Sequence, residues 1–198
     1  MKLATVITTP EIQAPVPVAL LQGTFAERLD KAAALGYDGV ELMVVDPAKL
    51  DAEAIADDIK LRRLEVAGIG TGALFLVERL TLLAEDRATE RRAVERVGEI
   101  AAFAETIGSP LITIGSFRGK LAWGGEGARG RLVESLRLCA NLAQQHGARV
   151  AIEPLNRYES DVVNNAAEGM ALVEEVAHPA FGLLLDTFHV NIEEPSIA

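Results

Sequence analysis

Four side chains that can bind a metal ion or move a proton lie close together in the C-terminal quarter of the sequence. Glu153 and Glu159 follow one short apolar run, and Asp186 and His189 follow the next one along the chain. Both runs are continuous rather than alternating, which is typical of strands in a parallel sheet that is covered on both faces. In α/β barrels the carboxyl ends of the strands form the active-site face, so acids at these positions indicate chemistry.

Glu153 and Asp186 occupy equivalent positions in these two successive units. Taken alone, Glu153 could be a solvated carboxylate at a strand end, and Asp186 could be the N-cap of a following helix. Neighbouring parallel strands lie about 4.8 Å apart, so the two carboxylates can converge on one divalent cation. The pair therefore predicts a metal site.

The other candidates are less specific when each is taken alone. His189 could be an ordinary loop residue, and Glu159 could form a surface ion pair with Arg157. Arg118 follows the fourth strand-like run and could bind a substrate carboxylate or phosphate, although a solvated loop arginine is an equal alternative. Glu41, at the end of the second strand-like run, is a candidate for the lining of the pocket.

These residues need a scaffold that brings strand ends together, and strand and helix signals alternate along the whole chain. Strand-like runs begin near residues 3, 38, 65, 110, 149 and 181, and helical spacing covers 25–35, 52–64, 87–107, 126–146 and 166–176. This alternation predicts βα units around a parallel sheet, in one α/β domain over residues 1–198. The first strand is not followed by Gly-x-Gly-x-x-Gly, which argues against a dinucleotide-binding sheet.

Six βα units fit this pattern, whereas a closed (β/α)8 TIM barrel needs eight units and usually about 250 residues. We therefore expect a TIM barrel domain of which the 198 residues supply the first six units, so that the domain is incomplete at its C-terminal end.

Composition excludes several classes of function. The formal net charge of −10 argues against nucleic acid and against an anionic membrane surface, because both attract basic proteins. No apolar run reaches the roughly 18 residues that a membrane span needs. Cys139 is the only cysteine, so an internal disulfide is impossible and we expect a reducing, cytoplasmic environment.

Two stretches of the sequence resemble a known family. Ile152-Glu-Pro-Leu-Asn-Arg-Tyr-Glu159 and Leu185-Asp-Thr-Phe-His-Val-Asn-Ile-Glu-Glu194 are similar to motifs of the sugar isomerase/epimerase superfamily with a xylose isomerase-like TIM barrel. They look most like the ketose 3-epimerase branch, which acts on D-tagatose and D-psicose. The opening Met1-Lys-Leu, the Ile69-Gly-Thr-Gly72 loop and the pair Arg118-Gly119 look closer still to the 5-keto-L-gluconate epimerases.

The resemblance implies a metal-dependent epimerase of a ketose or keto-sugar acid. In that family Mn²⁺, Co²⁺ or Mg²⁺ is held by Glu, Asp, His and Glu at the ends of strands five to eight. Glu153 matches the first ligand and Asp186 the second, while the other two belong to strands seven and eight, which this sequence does not include. Glu159 and His189 match positions that hydrogen-bond the substrate around its carbonyl group, and Arg118 is a candidate for a substrate carboxylate.

The implied reaction inverts a carbon next to a ketone. A divalent metal stabilises the enediolate, one carboxylate removes the proton, and an acid on the opposite face returns it. The resemblance gives Glu153 one of these two roles. With two of four metal ligands, we expect weak metal binding and no competent epimerisation by a chain of this length.

Several alternatives remain open. A hydroxypyruvate isomerase or inosose dehydratase of the same superfamily shares the fold. A non-catalytic sugar-binding relative could keep the Glu153 and Asp186 face. A DNA-repair enzyme like endonuclease IV uses a related barrel, but the net charge opposes it. The resemblance also implies a small-molecule sugar substrate and a homo-oligomer.

Overall fold

A computed structural model describes residues 1–196 as six parallel strands in one sheet. The strands are β1 (Ala4–Thr8), β2 (Gly39–Met43), β3 (Glu65–Gly70), β4 (Leu111–Ile114), β5 (Arg149–Ile152) and β6 (Phe181–Leu183). Each strand pairs with the next one along the chain, so the spatial order is the sequence order. This is the arrangement of a (β/α)8 barrel, and the expectation of six βα units of such a barrel is confirmed.

Helices follow the strands and cover the outside of the sheet. Within residues 1–196 they are α1 (Phe25–Ala34), α2 (Ala52–Leu61), α3 (Gly72–Glu78), α4 (Arg87–Ile107), α5 (Leu121–Gly124), α6 (Ala128–Gln145), α7 (Ala166–Val176) and α8 (Thr187–Glu193). None of them is long and apolar enough to cross a membrane. The helix predicted over 126–146 is shorter at its start, because Gly127 adopts the left-handed conformation immediately before α6.

Side-chain caps fix the starts of the well-predicted helices. Thr24 and Glu27 form a reciprocal capping box at α1, Asp51 caps α2, and Asp86 caps α4. Each cap satisfies backbone N–H groups that have no partner within the first turn. These capping residues therefore determine the residue at which each of the three helices begins.

The core lies on both faces of the sheet, as the continuous apolar runs require. Ile7, Leu42, Ile69, Ile112 and Ile152 come from five different strands and are fully buried. The two longest helices, α4 and α6, pack against each other and against the sheet. A sheet buried on both faces leaves the carboxyl ends of its strands as the place where polar side chains can reach an open cavity.

Candidate active site

A cavity of about 370 Å³ opens at the carboxyl ends of the strands. Polar and apolar side chains both line it. The polar lining residues include Glu41, Thr113, Ser116, Glu153, Glu159, Asp186 and His189, and the apolar ones include Val6, Val16, Val18, Met43, Leu76 and Leu155. The structure therefore brings five of the six candidate site residues to one cavity, and Arg118 is the exception.

Glu153 lies directly after β5, where its backbone N–H donates to the carbonyl of Ile114 on β4 at 3.0 Å. This bond continues the β4–β5 pairing by one residue and holds the carboxylate at the cavity floor. Burial, and then the charges of Asp186 and Glu41, raise the pKa of Glu153 to about 7. Loss of solvent and nearby negative charge both oppose ionisation of a carboxylic acid.

Asp186 follows β6 and serves as the N-cap of α8. Its Oδ1 accepts a hydrogen bond from the backbone N–H of Phe188 at 2.8 Å, while Oδ2 lies 3.8 Å from Nε2 of His189. Capping thus uses one carboxylate oxygen and leaves the other toward the cavity. The two interpretations of Asp186 from the sequence, a cap and a site residue, are compatible in this geometry.

Glu153, Asp186 and His189 form a group that fits a divalent cation. One possible ligand atom from each lies within 4.8 Å of the other two. Carboxylate oxygens and imidazole nitrogen are common ligands of Mn²⁺ and related ions. Burial and the charges of Asp186 and Glu41 raise the pKa of Glu153, and a cation bound between the carboxylates would favour their ionised form.

Glu159 lies at the exposed edge of the cavity, in the loop between β5 and α7. Its Oε1 accepts a hydrogen bond from the side-chain amide of Asn156 at 2.8 Å. Asn156 is buried and also contacts His189, at 2.9 Å between its Nδ2 and the Nδ1 of the imidazole. Asn156 thus links two site side chains, and this link was not predicted from the sequence.

Arg118 is the predicted site residue that does not reach the cavity. Its side chain is fully buried, and its guanidinium donates to the carbonyl oxygens of Glu153 and Val163 and to the hydroxyl of Ser160. Burial lowers the pKa of Arg118 to about 10, which still leaves it charged at neutral pH. These contacts support a role in holding the loop after β5, rather than contact with a substrate carboxylate.

Glu41 extends from β2 into the same cavity. Its Oε1 accepts a hydrogen bond from the hydroxyl of Thr113 at 3.3 Å, and burial raises its pKa above the ordinary range. From the sequence Glu41 was predicted to line the pocket, and its side chain lines the cavity near Glu153.

Two glycines at strand ends leave room for the carboxylates. A Cβ atom at Gly115 would lie 2.8 Å from Oε2 of Glu153, and one at Gly70 would lie 2.8 Å from Oε1 of Glu41. Real Cβ atoms do not approach oxygen that closely, so an alanine at either position would displace the acid. Sequence reasoning did not identify this function, although a glycine directly at a strand end is its visible signal.

A second pocket of about 420 Å³ adjoins the site on the side of Glu159. Its aromatic residues are Phe75, Trp123 and Tyr158, and the Phe75 and Trp123 rings lie 5.7 Å apart. The short helix α5 that carries Trp123 is held by Asp161, whose carboxylate accepts from the backbone N–H groups of residues 121 and 122. The loop after β5 therefore positions both Glu159 and this aromatic wall.

Comparison with known proteins gives a consistent result. Residues 29–197 match the sequence model of a family described as xylose isomerase-like TIM barrel. The chain is 31% identical over 180 residues to the D-psicose 3-epimerase of Agrobacterium fabrum, covering 87% of this chain and 61% of that protein. It is 29% identical over 170 residues to the L-ribulose 3-epimerase of Methylomonas sp., covering 84% of this chain and 58% of the relative.

Solved structures agree with the sequence matches. The D-allulose 3-epimerase from Methylomonas sp., in complex with D-allulose, superposes with a TM-score of 0.73 at 26% identity, over 87% of this chain and 60% of that one. An AP endonuclease of family 2 from Brucella melitensis has a TM-score of 0.74 at 23% identity, over 100% of this chain and 73% of that chain, which shows the shared fold alone. The chain thus spans about 60% of the length of the epimerases that it matches.

Proposed function

The chain belongs to the xylose isomerase-like TIM barrel family, and from this premise we propose that its cavity is the active site of a divalent-metal-dependent epimerase of a ketose or keto-sugar acid. One observation carries the proposal: Glu153 and Asp186 follow neighbouring strands, and their carboxylates lie close enough in one cavity to share a cation. His189 lines the same cavity. The names of the relatives, which are L-ribulose and D-psicose 3-epimerases, support a ketose as the substrate.

In this proposal Glu153 and Asp186 hold the cation, which we take to be Mn²⁺, Co²⁺ or Mg²⁺. A cation bound there supplies Lewis-acid stabilisation for the negative charge that develops on substrate oxygens when a proton leaves the neighbouring carbon. Glu153 receives that proton on its carboxylate. Inversion needs an acid–base group on each face of the carbon, and Glu153 accounts for one face.

Glu159 and His189 bind the substrate around its carbonyl and adjacent hydroxyl groups. Both line the same cavity as Glu153 and Asp186. A few polar groups among apolar lining residues orient a sugar, because its carbonyl and hydroxyl groups can form hydrogen bonds only where those polar groups lie.

The remaining parts of the proposal concern the cell and the partners. We place the protein in the cytoplasm, because its single thiol, Cys139, is buried and free. A net charge of −10 supports a small-molecule substrate rather than nucleic acid. A homo-oligomer stays a prediction from the family.

Isotope exchange tests the chemistry directly. The protein is incubated in D₂O with Mn²⁺ and either D-psicose, D-fructose or L-ribulose, and deuterium at the carbon beside the carbonyl is followed by NMR. We expect Mn²⁺-dependent incorporation that is lost in Glu153→Gln. Because exchange needs only proton removal and return on one face, it does not depend on complete inversion. Exchange no faster than in Glu153→Gln would contradict the proposed role of Glu153.

A further inference from the structure

The side chain of Asn156 has an orientation that its neighbours determine. The backbone N–H of Tyr158 points at Oδ1 of Asn156 at 3.0 Å, and a backbone N–H can only donate. The oxygen of the amide must therefore face Tyr158, and the NH₂ group must face the other way. The contact with Glu159 requires the same orientation, because Oε1 of Glu159 lies 2.8 Å from Nδ2 of Asn156 and accepts a hydrogen from this NH₂ group.

This orientation determines which nitrogen of His189 carries the proton. Nδ1 of His189 lies 3.2 Å from the backbone nitrogen of Asn156 and 2.9 Å from its Nδ2, and both of these groups are donors. Nδ1 must therefore offer its lone pair. In a neutral imidazole the hydrogen is then on Nε2, the nitrogen that faces the cavity and lies 3.8 Å from Oδ2 of Asp186.

A histidine in this form cannot coordinate a cation through the nitrogen that faces the cavity. Coordination needs a free lone pair, whereas Nε2 carries a hydrogen and the lone pair of Nδ1 points at Asn156. His189 lies among the possible metal ligands by distance, but its hydrogen-bond pattern is that of a donor. The distances between possible ligand atoms would allow His189 to bind a cation. Its hydrogen bonds exclude this, because the buried backbone N–H of Asn156 can only donate to Nδ1.

We propose that Asn156 is a positioning residue: its backbone N–H and NH₂ group keep Nδ1 of His189 as an acceptor and leave the hydrogen on Nε2, where it can donate to a substrate oxygen, and the same NH₂ group aligns Glu159. The two hydrogens of one NH₂ group face side chains from two elements, the loop after β5 and helix α8. The identity of the acceptor as a substrate oxygen rests on the proposed function, whereas the position of the hydrogen on His189 does not.

Nitrogen-15 NMR of the histidine rings tests the inference. The chain has three histidines, so His146→Gln and His178→Gln assign the signals of His189. At pH 8 we expect Nδ1 of His189 without hydrogen and Nε2 with it, because both groups that face Nδ1 are donors. A hydrogen on Nδ1 in the wild-type protein would overturn the proposal.

Two variants separate positioning from loop stability. Asn156→Asp has the same shape but replaces the NH₂ donor with an oxygen, while the backbone N–H still donates to Nδ1. One of the two donors to Nδ1 is therefore lost, and we expect a part of the His189 population to carry its hydrogen on Nδ1. Asn164→Asp is the control, because Asn164 donates to the carbonyls of Leu155 and Ser160 in the same loop and does not contact His189. Equal changes at His189 in both variants would show that Asn156 acts only through the loop.

Calorimetry with Mn²⁺ gives an independent readout. His189→Gln keeps a side-chain N–H donor but cannot replace an imidazole ligand, so we expect its Mn²⁺ affinity to stay within about twofold of wild type. Weakening by tenfold or more would make His189 a ligand and contradict the inference. The NMR result stands without any metal binding or turnover, so failure of the proposed function and failure of this inference give different outcomes.

Discussion

Replacing Arg118 distinguishes a structural arginine from one that binds substrate. The sequence suggested a contact with a substrate carboxylate, but the guanidinium is fully buried and donates to the carbonyls of Glu153 and Val163 and to Ser160. Val163 itself has a positive φ of 60°, which is uncommon for a β-branched residue, so its conformation depends on such contacts. The perturbation is Arg118→Met, which keeps an unbranched apolar side chain and removes every donor.

The expected cost follows from the bonds that are lost. Two buried carbonyl oxygens each lose a donor, and an unsatisfied buried acceptor costs about 1–3 kcal/mol. Removal of a buried charge offsets part of this loss. We expect Arg118→Met to lower the free energy of unfolding by about 2–4 kcal/mol, which corresponds to a fall in Tm of about 5–15 °C for a domain of this size.

Urea denaturation followed by circular dichroism measures the effect. Arg129→Met is the matched control, because Arg129 is half-exposed and forms a surface ion pair with Glu175 at 2.7 Å, an interaction worth less than about 1 kcal/mol. If Arg118→Met is as stable as Arg129→Met, the guanidinium does not hold the loop. That result would refute the structural role and restore substrate binding as the better explanation for Arg118.

Two further predictions concern buried titratable groups. In metal-free protein, burial and the charges of Asp186 and Glu41 raise the pKa of Glu153 to about 7. Between pH 4.5 and 7 the folded state therefore binds more protons than the unfolded state, and the protein loses stability as the pH rises. Glu153→Gln lacks this titration, so in EDTA its free energy of unfolding should rise relative to that of wild type by on the order of 2 kcal/mol between pH 5 and pH 8; a difference between the two proteins that does not change with pH would count against this. Burial raises the pKa of Cys139 to about 12, so we expect no reaction of the native protein with Ellman's reagent at pH 8 and rapid reaction in denaturing urea. Rapid reaction of the native thiol would show that the core around α6 opens readily.

The sequence was sufficient for the sheet because short, mostly apolar runs alternate along the chain with segments of helical spacing. It was sufficient for α1, α2 and α4 because each has a capping side chain at its start. Helix α3 was not predicted, because it begins at a glycine, has no side-chain cap bond and spans only seven residues. Short helices of this kind form because the surrounding fold holds them, and local sequence carries little of that information.

Position along a strand predicted part of the site. Glu153 and Asp186 follow neighbouring strands, so the sheet alone brings them together, whereas Glu159 and His189 were predicted from the family resemblance. Arg118 ends a short 3-10 helix and Asn156 lies in a loop, and at neither position does the sequence indicate the direction of the side chain. Burial of Arg118 behind the loop and the link from Asn156 to His189 depend on contacts between residues more than 30 positions apart. Such contacts follow from the packed fold and not from any local pattern.

The central claim is that Glu153 and Asp186 together hold a divalent cation in this cavity. Titration calorimetry with Mn²⁺ on the wild-type chain and on the Glu153→Gln, Asp186→Asn double variant tests it most directly. Both replacements keep the size of the side chain and remove its charge, and circular dichroism confirms that the variant is folded. We predict weak, saturable binding of one Mn²⁺ ion by the wild-type chain and none by the double variant. Identical titrations of the two proteins, whether both bind or neither does, would contradict the claim.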